Sequence, residues 1–587
     1  MFIDLKNNKS FRNVCSAALT LTLMGAFVLA LSCLWVPGVC GADNEVLIEK
    51  QFLGRQPEDV MIYSDSLTFS PDQKNAACVV FNEEYMQVLT NDRAGKKYDH
   101  IAKGYPIFSP AGNRVGYIAD KTGNHFVVVD NHESTGYDGA CCLRFSPNGK
   151  YVAYIAKEDG KQFVVMNGNR LRAYDMIDQS TGVIFSPDSQ TLAYIAKNDT
   201  ADGVHVVING EESPLFDSIT EISFSPDSKN TAYIISRNNE WFVFRNQNKE
   251  GPYDKAESLV WSPDAARLAY IAVKDGEFWI VDNGRKVSAG DYTPQGIFIK
   301  GGGFAAQTPR VTSPVFSLDS TLIAFTAIEK GKFKNIIGKT IGPLYDQVSR
   351  VVFSPDSGHY AYIAVSRTST GAQMQVVRDG TAGDPYDMID KPVFSPDSAR
   401  LAYRVMDNQK WRMVVDGKAH KPYDAMDFPV FSPDSTKLAY RARAQGKWVM
   451  VENGKAQKPY DVLGVPVFSP DSAKLAYRAI DDNKLVMVAN NREEFYEITK
   501  QYATLEKISR PCFSPDGKHL AYLVQANPLL CLLVINGAVE MFEASFFTFI
   551  ETPLVFDSAT QARFLAATIN KNLFEISRIH IIIPGQP

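Results

Sequence analysis

The 587 residues carry 61 Lys plus Arg against 66 Asp plus Glu, a formal charge of −5, which excludes both a broadly basic nucleic-acid binder and a strongly acidic shell. Charged residues at 22% and hydrophobics at 45% are the proportions of a folded chain and exclude long-range disorder. With 26 Tyr, 35 Phe, 39 Gly and 31 Pro, the composition is that of strands joined by frequent tight turns.

At the start of the chain, Lys6, Lys9 and Arg12 precede a stretch, 13–42, without a charged residue. A basic region, an apolar run and the small pair Gly41-Ala42 make residues 1–42 a signal peptide. The run is also long enough to be an uncleaved signal anchor. Either reading places the rest of the chain in the periplasm or outside the cell, with membrane contact only through that segment. Beyond it remain Cys78, Cys141, Cys142, Cys512 and Cys531, too sparse and odd a set for a disulfide framework. Cys78 and Cys512 fall on strand positions as small buried hydrophobes, whereas the adjacent Cys141 and Cys142 could form a strained vicinal disulfide.

From residue 69 onward one phrase recurs: an aromatic, Ser-Pro-Asp, a small residue, then Leu-Ala-Tyr. The lead aromatics are Phe69, Phe108, Phe145, Phe185, Phe224, Trp261, Phe316, Phe353, Phe394, Phe431, Phe468 and Phe513, with a degenerate thirteenth copy at Phe556. Five of the twelve intervals are 37 residues long, the mark of a repeat architecture whose units cannot bury their faces alone. In the copy over 426–462, residues 428–431 form a short apolar strand and Ser432-Pro433-Asp434-Ser435 a type I turn. Residues 437–442 and 448–451 form the next strands, and Asn453-Gly454 supplies the two positive φ angles of a tight hairpin before the fourth. Four antiparallel strands in about 40 residues make a propeller blade. Pro106, Pro314, Pro392, Pro429, Pro466 and Pro511, each two residues before a lead aromatic, and Pro553, three before Phe556, suit an inner edge strand.

Thirteen copies exceed the four to eight blades usual in one ring. The longest interval, 55 residues between Trp261 and Phe316, contains Gly301-Gly302-Gly303. The expected fold is therefore all-β, two tandem propellers of four-stranded antiparallel blades over 43–300 and 301–587, with six or seven blades each. Residues 46–48 and 579–583 are expected to supply closing strands.

The aromatic-Ser-Pro-Asp…Leu-Ala-Tyr phrase resembles the propeller repeats of the TolB-like family, over residues 60–570; the Gly-His…Trp-Asp signature of WD-repeat propellers is missing. The resemblance implies a fold and little about function. The α/β domain that precedes the propeller in TolB has no counterpart in the roughly 20 residues between the apolar run and the first repeat. Prolyl oligopeptidases use related propellers over a hydrolase domain, but a Gly-x-Ser-x-Gly nucleophile elbow is absent.

Chemistry is sparse. The nine Ser-Pro-Asp triplets read as turns ending separate blades and pointing away from one another rather than as calcium ligands, which must converge. The eight histidines show no metal-ligand spacing, and Gly338-Lys339-Thr340 lacks the leading glycine of a phosphate loop, so no metal or cofactor is expected. Two patterns exceed turn logic. An aromatic-acid pair ends the fourth strand in nine copies, as in Tyr386-Asp387, Tyr423-Asp424 and Tyr460-Asp461; the ring packs between blades while the carboxylate caps amides of the crossover to the next blade, or the acids form a binding rim. Arg404, Arg441 and Arg478 stand where other blades place Ile155, Ile195, Ile271 and Ile363, as ion pairs with an Asp of a neighbouring blade or as an anion-binding arc flanked by Trp411 and Trp448. The expected function is a non-catalytic exported scaffold that binds an envelope protein or extracellular polymer. The alternative is a hydrolase or lyase acting on glycans or peptides in a propeller channel, marked by two carboxylates about 5–9 Å apart without partner cations.

Overall fold

A computed structural model describes residues 46–583 apart from 199–202, 288–312, 330, 370, 497–503, 528–529, 543–544, 547–553 and 571–572. The export segment expected over 1–42 and the boundary expected near 300 lie outside the described residues. Among the described residues helix is limited to two single 3-10 turns, Ser64–Ser66 and Leu505–Lys507, and no helix is long and apolar enough to cross a membrane.

Thirteen antiparallel sheets succeed one another along the chain, one for each lead aromatic, and are numbered here as blades 1 to 13. Blade 10 is representative. Ala425–Met426 and Val430–Phe431 both pair with Leu438–Ala444, which pairs with Lys447–Glu452, and that strand with Lys455–Tyr460. The inner strand is thus two short pieces. Pro429, buried, stands in the gap between them, where its missing N–H costs no ladder bond. Pro106, Pro392 and Pro466 stand in the same gap, Pro314 and Pro511 directly precede the inner strands Val315–Phe316 and Cys512–Phe513, and Pro553 lies outside the described residues.

Consecutive blades share apolar cores. Blades 10 and 11 join through Ala439, Met450, Tyr460, Leu475, Tyr477 and Val486. Thirteen such clusters lead from each blade to the next, and the last joins blade 13 to blade 1 through Leu53, Ala76, Leu565 and Ile576. The N-terminal strand Leu47–Arg55 pairs antiparallel with Leu573–Ile582 as the outer strand of blade 13, so both ends of the chain build the closing blade.

The expected pair of six- or seven-bladed propellers is corrected to one closed ring of thirteen blades. Ala269, Ile271 and Ile280 of blade 6 pack on Phe316, Ile323 and Phe325 of blade 7 in one cluster, across the place where two rings would part. The long interval is an insertion between the last strand of blade 6, Arg285–Val287, and the first of blade 7, Val315–Phe316. Two rings would need two closures, and one is found among the described residues. Sheets packed face to face at about 10 Å, thirteen to the ring, set a diameter on the order of 40 Å at mid-blade, and four strands about 4.8 Å apart leave an opening on the order of 20 Å.

Candidate functional site

The Ser-Pro-Asp turns lie at one end of the opening. In blade 10 the Ser432 hydroxyl donates to Asp434 Oδ1 at 2.6 Å and accepts the Lys437 N–H at 2.9 Å, and Ser435 N–H closes the turn on the Ser432 carbonyl. These bonds hold the Asp434 carboxyl down at about 2, led by the Ser432 hydroxyl and then the Thr436 amide. The turns do not point away from one another, as the sequence suggested. The Asp397 N–H donates to Ser435 Oγ of the next blade at 2.9 Å, and Asp434 N–H to Ser472 Oγ at 2.9 Å. The same link runs from blades 3, 4, 6, 7 and 8 into their successors. The receiving serines take a left-handed backbone, φ 64° at Ser435, which turns the hydroxyl back towards the preceding blade. Turn chemistry and ring assembly use the same atoms.

The arginine arc is engaged by the protein itself. Arg404 Nε donates to Asp390 of its own blade, not to an Asp of a neighbouring blade as expected, and Nη1 to the Met426 carbonyl of the next, while its guanidinium lies 4.8 Å from the Trp411 ring and 4.2 Å from that of Phe428. Arg441 repeats this on Asp427, the Leu463 carbonyl and Trp448, at 5.3 Å. Blade 8 solves the slot differently, with Ser349 Oγ accepting the Ile363 N–H at 2.8 Å, and blade 12 does so with Ser509 and the Leu523 N–H at 2.9 Å. Asp with Arg and Ser with an apolar residue are therefore alternative fillings of one inter-blade slot. Blade 11 is a hybrid. Gly464 stands where the carboxylate would be, and Arg478 donates through Nη1 to the Leu505 and Ile508 carbonyls, the former at 2.8 Å. Burial, then Arg510, depress the Arg478 pKa, with Glu506 opposing them.

The aromatic-acid pairs sit at the opposite end of the blades. Tyr460 is fully buried and meets Tyr477 of the next blade edge to face, centroids 6.2 Å apart, and Tyr423 is buried likewise while Tyr386 is half-buried. Asp387, Asp424 and Asp461 accept the amides of Asn408, Gln445 and Asp482, in the second turn of the following blade. Lys410 also reaches Asp424, and Lys447 reaches Asp461. The rings pack between blades as expected, but the carboxylates take amides of the following blade's second turn, 21 residues on, rather than those of the crossover.

The side chains bordering the opening were not legible as a set. The residue three before each lead aromatic falls in or beside the inner-strand gap, and its exposure comes from the opening because both sheet faces are covered by neighbouring blades. On blades 8 to 12 it is Arg350, Lys391, Phe428, Val465 and Arg510, all exposed. On blades 2 to 7 it is Tyr105, Cys142, Gly182, Glu221, Ser258 and Ser313, none of them a cation and none exposed beyond the intermediate range. Lys391 and Arg510 form no ion pair among the described residues. Phe428 is 52% exposed and Val465 45%. The signal available was the column three before the lead aromatic, which holds no cation through residue 313 and three from residue 350 onward. Glu221 and Glu257, on the inner strands of adjacent blades, are close enough for the Glu257 charge to act on Glu221. Burial raises the Glu221 pKa and it accepts the Leu259 N–H, while Glu257 pairs with Lys255 at 2.5 Å, so the pair is not free of partner cations.

No family model matches the chain, and no curated protein matches it. Among solved structures the chain is similar to a catalytically inactive virginiamycin B lyase from Staphylococcus aureus with quinupristin, at 12% identity and a TM-score of 0.21, over 46% of this chain and 94% of that one. At that score the likeness carries no argument about function. The class is set by the fold itself, an all-β propeller of repeated blades.

Proposed function

We propose that the protein is an exported, non-catalytic scaffold, a divergent TolB-like propeller, that holds an acidic envelope protein or extracellular polymer in the opening of its ring. The arc of Arg350, Lys391, Phe428, Val465 and Arg510 carries this reading: three cations and two apolar side chains on five consecutive blades, in a chain whose net charge is −5. An opening on the order of 20 Å admits an extended polymer or a helix about 10–12 Å thick. It also holds groups on opposite blades too far apart to act on one bond, since proton transfer needs about 3 Å. Export is supported by the Lys6-Lys9-Arg12 region and the uncharged run after it.

The test is the anisotropy of labelled polyglutamate or alginate at several salt concentrations. The triple reversal R350E/K391E/R510E is expected to abolish binding, and the equal-charge control K74E/K229E/K518E at exposed turn lysines to leave it intact. Equal losses in both triples would refute the arc, and depolymerisation of an added glycan by the wild type would favour the enzyme.

A further inference from the structure

Four of the five cysteines among the described residues fall into two kinds. Cys78 and Cys531 are buried, and burial pushes each thiol up to about 12. Cys141 and Cys142 are half-buried on the innermost strand of blade 3, with their Sγ atoms 3.1 Å apart. Successive side chains on a regular strand point to opposite faces, so adjacent thiols meet only where the pleat breaks. Here the register passes from Cys141 opposite Ile155 to Arg144 opposite Ala153, a bulge, and Cys142 takes a left-handed φ of 60°. The same slot holds Gly182 with φ 64° in blade 4 and Ser258 with φ 65° in blade 6, so the bulge does not require a thiol. Tyr105 of blade 2, Arg144 beside the pair, and Asp178 and Gln179 of blade 4 surround it; the Cys142 thiol donates to the Gln179 carbonyl at 3.6 Å.

We propose that Cys141 and Cys142 form a redox modification site, a vicinal dithiol that a small-molecule disulfide oxidises to an intramolecular bridge and a dithiol reductant restores. Cys142, its proton released to solvent, attacks one sulfur of the disulfide RSSR; a mixed disulfide forms and RS⁻ leaves. The Cys141 sulfur then displaces the second RS⁻ from Cys142 as its own proton leaves to solvent. Two electrons pass from the pair to RSSR, which becomes two thiols. The asymmetry suits these roles. The Cys141 hydrogen bond, then Arg144, bring Cys142 down to about 7 against burial and Asp178, while the same bond and burial push Cys141 up. Adjacent Cα atoms are held about 3.8 Å apart by the peptide, below the span disulfides prefer, so the bridge is strained and easily reduced. Both residues lie on the innermost strand of the blade, packed against the cluster between blades 3 and 4 but only half-buried, so a small soluble disulfide can reach them.

The test equilibrates the full-length protein with oxidised glutathione, quenches with acid and reads the peptide bearing both residues by mass spectrometry. Loss of two hydrogens, reversed by dithiothreitol, is expected, as is protection of both thiols by phenylarsine oxide, which needs two sulfurs. C141S should stop at a stable glutathione adduct on Cys142. C142S should react roughly tenfold more slowly, because the remaining thiol lacks the depressed pKa. A wild-type peptide that stays reduced, or that halts at the mixed disulfide, would overturn the proposal, as would C142S reacting at the wild-type rate.

Discussion

Exchanging one slot of the ring for another tests whether Asp427 and Arg441 act as a unit. Arg441 is 26% exposed and Asp427 34%, so the pair lies between a surface ion pair, about 0–1 kcal/mol, and a buried one, whose breaking costs about 3–5 kcal/mol. Asp427→Ser alone leaves the guanidinium with the Leu463 carbonyl and the Trp448 face, at an expected cost of about 1–2 kcal/mol. Arg441→Ile alone loses that carbonyl bond and strands the carboxylate, for a similar cost. The double variant D427S/R441I rebuilds the arrangement of Ser349 and Ile363 in blade 8, where the serine accepts the strand amide at 2.8 Å, and should lie within about 0.5 kcal/mol of the wild type. The expected coupling is therefore about 2–4 kcal/mol, the two single costs less that of the double variant. Chemical denaturation supplies the energies, and hydrogen exchange at residue 441 supplies a local readout because a ring of thirteen blades need not unfold in one step. Costs that simply add would refute the reading that the two residues fill one slot together.

Three further outcomes follow from the same geometry. Ser435→Ala removes the acceptor for the Asp397 amide and keeps a left-handed backbone, costing about 1–2 kcal/mol, whereas Ser435→Gly relieves the φ of 64° and should cost less; faster exchange at the Asp397 amide, larger in the alanine variant, is the check. Asp319 and Asp434 are held at about 2, so the stability they contribute is complete above the ordinary carboxylate range near 4 and is lost as pH falls towards 2; circular dichroism during acid titration should show a transition that D319N/D434N shifts and flattens. Leu53→Ala, at a side chain 1% exposed where blade 13 meets blade 1, should cost about 2–4 kcal/mol and make that junction the first site of limited proteolysis.

Blade boundaries, turn types and the inner-edge place of the prolines were legible because each is a local demand on φ or on a missing N–H. The ring was not. Its size depends on the small angle between neighbouring sheets, which is spread over whole blade faces such as Met450 against Leu475 and Tyr477, and no short motif encodes it. The 55-residue interval looked like a division because length is visible in sequence, while the contact of Ile271 with the Phe316 cluster is not. Arg404 and Arg441 were visible as departures from isoleucine, but their carboxylates stand fourteen residues earlier, four before the lead aromatic and outside the recurring phrase, and their pairing depends on the inner strand lying beside the second.

Ring size also bears on what kind of function the fold can host. In a narrow propeller the inner strands nearly meet, and residues from distant blades can surround one small ligand. With thirteen blades the opposite walls stand on the order of 20 Å apart, so a site must be built from neighbouring blades or be filled by something large. Neighbouring blades supply Glu221 and Glu257, but Glu221 accepts the Leu259 amide at the bulge of the next blade, and Glu257 is tied to Lys255. Glu221→Gln keeps an acceptor for that amide, so the fold should survive, and because burial raises the Glu221 pKa the variant should match or exceed wild-type stability above the ordinary carboxylate range and lose any advantage below it. Denaturation midpoints at pH 4 and pH 8 would decide this; a variant less stable at pH 8 but not at pH 4 would mean that the charged carboxylate itself holds blades 5 and 6 together.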